Sequence, residues 1–161
     1  MRVGEEPTTV LKAAEREMRR QAASGLVVFP DALSVLDRLT IPAAVASNSD
    51  RWRLEVVLNA AGIRDRFEVS VAGDEVPSPK PAPDIYLRAA ALLNVDVGDC
   101  LVIEDSPTGL TAARAAGMKV VAVRRGYLMT MSWLWPTRSR FGYQFEPAQP
   151  SRVPRLMISS V

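Results

Sequence analysis

The chain of 161 residues contains no histidine and a single cysteine, Cys100. The first absence excludes Ser-His-Asp triads, histidine-bearing zinc sites and imidazole acid–base catalysis. The second excludes an internal disulfide framework. Cys100 lies in an apolar run, so it reads as a small buried hydrophobe rather than a reactive thiol. No apolar stretch approaches the roughly 18–20 residues that cross a bilayer, and the start lacks a signal-peptide pattern. A cytoplasmic location with no membrane partner is the resulting expectation. No internal repeat is evident.

What is present is ordinary for a globular protein: 48% hydrophobic and 24% charged residues, enough chain for one real core and a small appendage. The net charge of +2 hides an asymmetry. Residues 1–123 hold 14 basic and 17 acidic groups, whereas residues 124–161 hold six arginines against Glu146 alone. The sequence pI of 9.0 therefore comes from the tail, and no nucleic-acid partner is expected for the folded part.

Thr8 or Thr9 suits the cap of a helix running to about Ala23, with Gly25 as terminator. Pro30-Asp31 opens a second helix with Leu33, Leu36 and Leu39 at helical spacing. The apolar run Ile41 to Ala46 is short enough for a buried parallel strand. Asp50 is placed to cap a helix over 51–61 that Gly62 ends, and Phe67 to Ala72 reads as a strand. Pro83 and Asp84 suit the first turn of a helix through Leu93. Cys100 to Ile103 is a strand, Leu110 to Ala116 a small-residue helix closed by Gly117, and Lys119 to Val123 the last strand. This alternation predicts an α/β fold, a Rossmann-like parallel sheet with helices on both faces. After Arg125 the periodicity stops, and Trp133, Trp135, four prolines and scattered arginines read as a divergent, truncated or frame-shifted end, mostly disordered, with a docking segment that uses the tryptophans as the other reading.

Three stretches place reactive side chains just past an apolar run or a turn: Val45-Ala46-Ser47-Asn48, Ser78-Pro79-Lys80-Pro81, and Leu101-Val102-Ile103-Glu104-Asp105-Ser106-Pro107-Thr108-Gly109. Parallel sheets bind ligands beyond the C-terminal ends of their strands, so Ser47, Asn48, Glu104 and Asp105 share one edge. Glu104 and Asp105 are hard oxygen donors suited to Mg²⁺, which relieves the cost of adjacent carboxylates behind a buried strand; Asp105 alternatively caps the helix that follows. Lys80, stiffened by its two prolines, suits neutralising a phosphoryl group, though an isolated lysine is more often a solvated surface charge. Ser47 can donate to a phosphate oxygen, helped by the N–H groups of Asn48 and Ser49; the same residues also suit a plain turn before the Asp50 cap.

The order and flanks of these stretches resemble motifs II, III and IV of the haloacid dehalogenase-like (HAD) hydrolases, most closely the β-phosphoglucomutase-like phosphatases, over roughly residues 25–123. The resemblance implies a Mg²⁺-dependent phosphomonoester phosphatase, or a phosphomutase, acting on a small phosphorylated metabolite such as a sugar phosphate. It implies catalytic roles for Lys80 and Ser47, phosphate binding by Ser47, Asn48 and Lys80, and metal binding by Glu104 and Asp105.

The family's first motif, Asp-x-Asp, supplies the nucleophile and the general acid–base, and no two aspartates here are spaced that way. Asp31 and Asp37, the only aspartates before Ser47, both fall in a predicted helix. The resemblance therefore implies a chain that begins inside the helical cap: a cap remnant over 1–25, an α/β core over 26–125 and the tail over 126–161. The core would lack its first, central strand, so its two inner edges would stay unpaired, join directly or recruit a substitute, and a marginally stable parallel sheet of about four strands is expected. Such a chain is expected to be inactive alone. A non-catalytic phosphate- and metal-binding module, or a fragment without function, are the other readings.

Overall fold

The runs Ala43–Ala46 and Cys100–Ile103 carry apolar side chains on alternating sides, and that alternation builds two cores on one sheet. The structure, a computed structural model, describes residues 7–26, 28–123 and 155–158. Its elements are α1 (Pro7–Ala23), α2 (Pro30–Arg38), β1 (Ala43–Ala46), α3 (Arg51–Ala60), β2 (Val69–Val71), α4 (Asp84–Leu92), β3 (Cys100–Glu104), α5 (Pro107–Ala115), β4 (Lys119–Ala122) and β5 (Arg155–Ile158). The strands are all parallel, in the order β2-β1-β5-β3-β4. The predicted α/β class is observed. No helix among the described residues is long and apolar enough to cross a membrane.

On one face, Ala44, Ala46, Cys100, Val102 and Met157 pack with Ile85, Tyr86 and Ala89 of α4 and with Ala112 and Ala113 of α5. On the other, Ala43 and Val45 meet Leu36 of α2 and Leu54 and Leu58 of α3. Gly62 and Gly117 follow α3 and α5 with φ of 66° and 75°, the left-handed conformation in which glycine carries no Cβ penalty.

Three helix starts differ from expectation, the first being α1, which runs from Pro7 so that Thr8 and Thr9 lie within it and do not cap it. Helix α5 begins at Pro107 rather than Leu110, because Ser106 caps it by accepting from Gly109 N–H at 3.1 Å and proline suits the first turn. Asp50 does occupy the cap position of α3, yet its side chain makes no capping bond. The Arg51 N–H donates instead to Asp74 Oδ1 at 2.9 Å, so the cap comes from the turn after β2.

The sheet has five strands rather than the expected four, because β5 is the substitute recruited between the two inner edges. Leu156 lies opposite Ala43 of β1 and Leu101 of β3, and Ile158 lies opposite Val45 and Ile103. The physical reason is the cost of the alternative. Buried backbone groups left without partners cost about 1–3 kcal/mol each, and a short apolar strand satisfies both edges at once. Arg155–Ile158 form β5 within a tail expected to be mostly disordered; the rest of the 126–161 tail, with Trp133 and Trp135, lies outside the described residues.

Met157 is fully buried at the centre of this arrangement. Met157→Ala is expected to lower unfolding free energy by about 2–5 kcal/mol in equilibrium denaturation. A change within about 0.5 kcal/mol, typical of a surface position, would mean that β5 is not part of the core.

Candidate functional site

Glu104 ends β3 with its carboxylate inside the protein, only 1% exposed. A charge taken out of water must be matched by hydrogen bonds and a counter-charge, and the neighbouring elements supply both. Oε2 accepts from the Tyr86 hydroxyl at 2.9 Å and from Lys80 Nζ at 3.4 Å. Oε1 accepts from Ser106 N–H at 2.9 Å and from the Ser106 hydroxyl. The Ser106 oxygen that donates to Glu104 also accepts from Gly109 N–H, so one side chain ties the strand end to the helix start. Gly109 is needed at close quarters: a Cβ there would stand 2.1 Å from the Glu104 carboxyl carbon.

Lys80 is brought in from the loop before α4. Its Nζ donates to the Ala46 carbonyl at 2.9 Å, where β1 ends, and lies 4.8 Å from the centre of the Tyr86 ring. Burial pushes the ammonium below its ordinary range, with the charges of Glu104 and Asp105 opposing that shift. Its backbone is clasped by one amide side chain. Lys80 N–H donates to Asn48 Oδ1 at 2.9 Å, and Asn48 Nδ2 donates to the Lys80 carbonyl at 3.0 Å.

The loop that carries Asn48 is itself pinned to the turn after β2. A Cβ on Gly73 would lie 2.5 Å from the Asn48 carbonyl oxygen, so only glycine admits this approach. Arg51 donates to Ser70 Oγ and the Ser70 carbonyl at 2.8 and 2.7 Å and pairs through two nitrogens with Glu75. That guanidinium holds the Glu75 carboxyl below its usual range, and Glu75 Oε2 in turn accepts from Ala72 N–H at 2.9 Å. These bonds anchor the approach of Gly73 to Asn48.

The structure therefore gathers Asn48, Lys80, Glu104 and Asp105 at one sheet edge, where they line a cavity of about 460 Å³ together with Ser106 and Thr108. Ser47 is close by in sequence but differently placed. It is buried, its Oγ accepts from Ser49 N–H at 3.2 Å, and it is absent from the cavity wall. The two carboxylates also differ: Glu104 is enclosed by donors, whereas Asp105 is half-buried and lines the cavity. A divalent cation that keeps most of its waters and takes one or two carboxylates fits Asp105. Among the described residues no third acidic, histidine or cysteine side chain joins the pair.

Tyr86, Ser106, Gly73 and Arg51 carry no sequence signal for these roles. Tyr86 sits among helix residues at core spacing, and Arg51 is one of several arginines near acidic groups. The one available cue was Gly109, three residues after the Ser106 cap and inside a short helix that glycine weakens. Gly109→Ala should lower stability by about 1–3 kcal/mol through the clash with Glu104, although alanine favours a helix by up to about 1 kcal/mol. A melting temperature equal to or above wild type would show that the carboxylate does not occupy this position.

A family model for haloacid dehalogenase-like hydrolases matches residues 2–117. Over 84 residues the chain is 50% identical to the bifunctional riboflavin kinase/FMN phosphatase of Arabidopsis thaliana, a match covering 52% of this chain and 22% of that protein. The solved structure of CbbY from Rhodobacter sphaeroides in complex with phosphate aligns with a TM-score of 0.69 at 25% identity, covering 95% of this chain and 64% of that one. A putative β-phosphoglucomutase from Thermotoga maritima aligns with a TM-score of 0.68 at 28% identity, covering 76% and 59%. This chain spans less than two thirds of the length of each of these relatives. The family match runs from α1 to the end of α5, well over half of the sequence, and so the chain belongs to the haloacid dehalogenase-like hydrolases.

Proposed function

We propose that this chain supplies the phosphoryl-binding edge of a Mg²⁺-dependent phosphomonoester phosphatase that acts on a small phosphorylated metabolite. The observation that carries this reading is the placement of Lys80. Its ammonium is held by the Ala46 carbonyl and Glu104 at the polar end of a cavity that Asn48 and Asp105 also line. A fixed cation of this kind stabilises the charge on a phosphoryl group without reorganising as it binds. In this reading Lys80 faces the phosphoryl oxygens, and Ser47 and Asn48 shape the end of β1 around it. Asp105 holds the metal directly, and Glu104 serves the metal end by fixing Lys80 and the start of α5. When bound, Mg²⁺ would supply further neutralisation of the phosphoryl oxygens.

The same reading assigns residues 1–25 to a helical cap portion and 26–125 to the α/β core. A binding role without turnover is the second reading, and one observation favours it for this chain alone. The central strand β5 consists of Arg155, Leu156, Met157 and Ile158 and brings no carboxylate to the site.

Two measurements test the proposal. Calorimetric titration should show that Asp105→Asn weakens Mg²⁺ binding by at least about tenfold, the effect of a lost ligand near 1.4 kcal/mol. Equal Mg²⁺ heats for wild type and variant would remove Asp105 as a ligand. The chain should also hydrolyse p-nitrophenyl phosphate no faster than the Mg²⁺ blank, because loss of a nucleophile costs orders of magnitude in rate. Robust hydrolysis that Lys80→Ala abolishes would show that these residues include a nucleophile of their own.

A further inference from the structure

The cavity is chemically two-sided. Its polar end is Asn48, Lys80, Glu104, Asp105, Ser106 and Thr108. The remaining wall is aliphatic and aromatic, from Leu26, Phe29 and Ala32 on the approach to α2 and in its first turn to Val57, Ile63 and Phe67 deeper in. Exposure follows the same order, with Phe29 at 53% and Phe67 at 3%. The first turn of α2 also borders the carboxylates directly, because Phe29 and Ala32 line a second, smaller cavity with Glu104 and Asp105. Along the apolar wall no described side chain offers a hydrogen bond, and no buried side-chain nitrogen or oxygen among the described residues lacks a partner.

We infer that the phosphate ester this site takes carries an apolar, ring-sized organic group, not a polyol. The inference rests on the phosphoryl-site reading above and narrows its substrate class, away from the sugar phosphate that family resemblance implies. A phosphoryl group at Lys80 directs the ester oxygen, and whatever hangs from it, along the only other lining available among the described residues. Sugar hydroxyls placed against it would meet neither donor nor acceptor among the described side chains of that wall. A flat ring would instead bury its faces against Phe29 and Phe67, which aromatic side chains favour in offset or edge-on geometry. A cavity of about 460 Å³ is within the range that encloses a small organic ligand.

The test is equilibrium binding to the full chain in Mg²⁺ buffer, with inorganic phosphate, phenylphosphonate and glucose 6-phosphate as probes. Phenylphosphonate should bind at least about tenfold more tightly than inorganic phosphate, as expected for burying a ring, and glucose 6-phosphate no more tightly than phosphate. The exposed position of Phe29 makes Phe29→Ser a safe variant for folding, and it should narrow the gap between phenylphosphonate and phosphate. If phosphate binds and phenylphosphonate binds no more tightly than phosphate, the apolar-ester inference fails while the phosphoryl site stands. Tighter binding of glucose 6-phosphate than of phenylphosphonate overturns the inference as well. If phenylphosphonate binds but phosphate does not, and Lys80→Ala changes nothing, the phosphoryl reading fails and takes this inference with it.

Discussion

The Glu104 carboxylate is the point on which the site geometry depends. With both oxygens removed from water, it is tolerable only while donors from three different parts of the chain converge on it: Lys80 from the loop before α4, Tyr86 from within α4, and Ser106 from the start of α5. Each of those donors is thereby fixed. Ser106 cannot both bond Glu104 and cap α5 unless the helix starts at Pro107, and the helix cannot start there unless residue 109 lacks a Cβ. Removing one partner of a buried ion pair typically costs about 3–5 kcal/mol because the other is left uncompensated. The pair Lys80–Glu104 is therefore a constraint on position more than a source of net stability.

The position of Lys80 is also set from the other side. Asn48 clasps its backbone at two atoms, and Asn48 is held in turn by the turn at Gly73, which Arg51, Asp74 and Glu75 pin to α3. Strands β1 and β3 are not neighbours in the sheet, since β5 lies between them. The side chain of Lys80 bridges that gap, touching the last carbonyl of β1 and the last residue of β3. A single cation thus reports the spacing of both strands, which is why β5 matters to the site although its described side chains, Met157 and Ile158, are apolar.

Much of this was legible in the sequence, and the reasons differ between elements. The runs ending at Ala46 and Glu104 are apolar, short and followed by polar residues, so both the strands and their shared edge could be read locally. The prolines at 79, 81 and 83 likewise marked the loop that delivers Lys80. What could not be read depends on contacts far apart in the chain. The segment Leu156-Met157-Ile158 is only three apolar residues within an arginine- and proline-bearing tail, too short to signal a strand by itself. It becomes one because two backbone edges already exist on either side. The capping of α3 by Asp74 rather than by the adjacent Asp50 has the same origin, a tertiary contact overriding a local preference.

The chemistry of the edge divides along the same line. In the proposed reading the phosphoryl end requires a rigid frame, and Glu104 and Asn48 provide it with buried and half-buried hydrogen bonds. The wall proposed to meet the rest of the ligand needs no such frame. It is built from side chains of α2, α3 and the segments around them, whose placement follows from packing alone. Hydrophobic walls of this kind tolerate exchange of one side chain for another of similar volume, whereas the Glu104 cluster tolerates none without an orphaned charge. Variation in what the site accepts is therefore expected to lie in residues 26–36 and 57–67, and the phosphoryl end to stay constant while it varies.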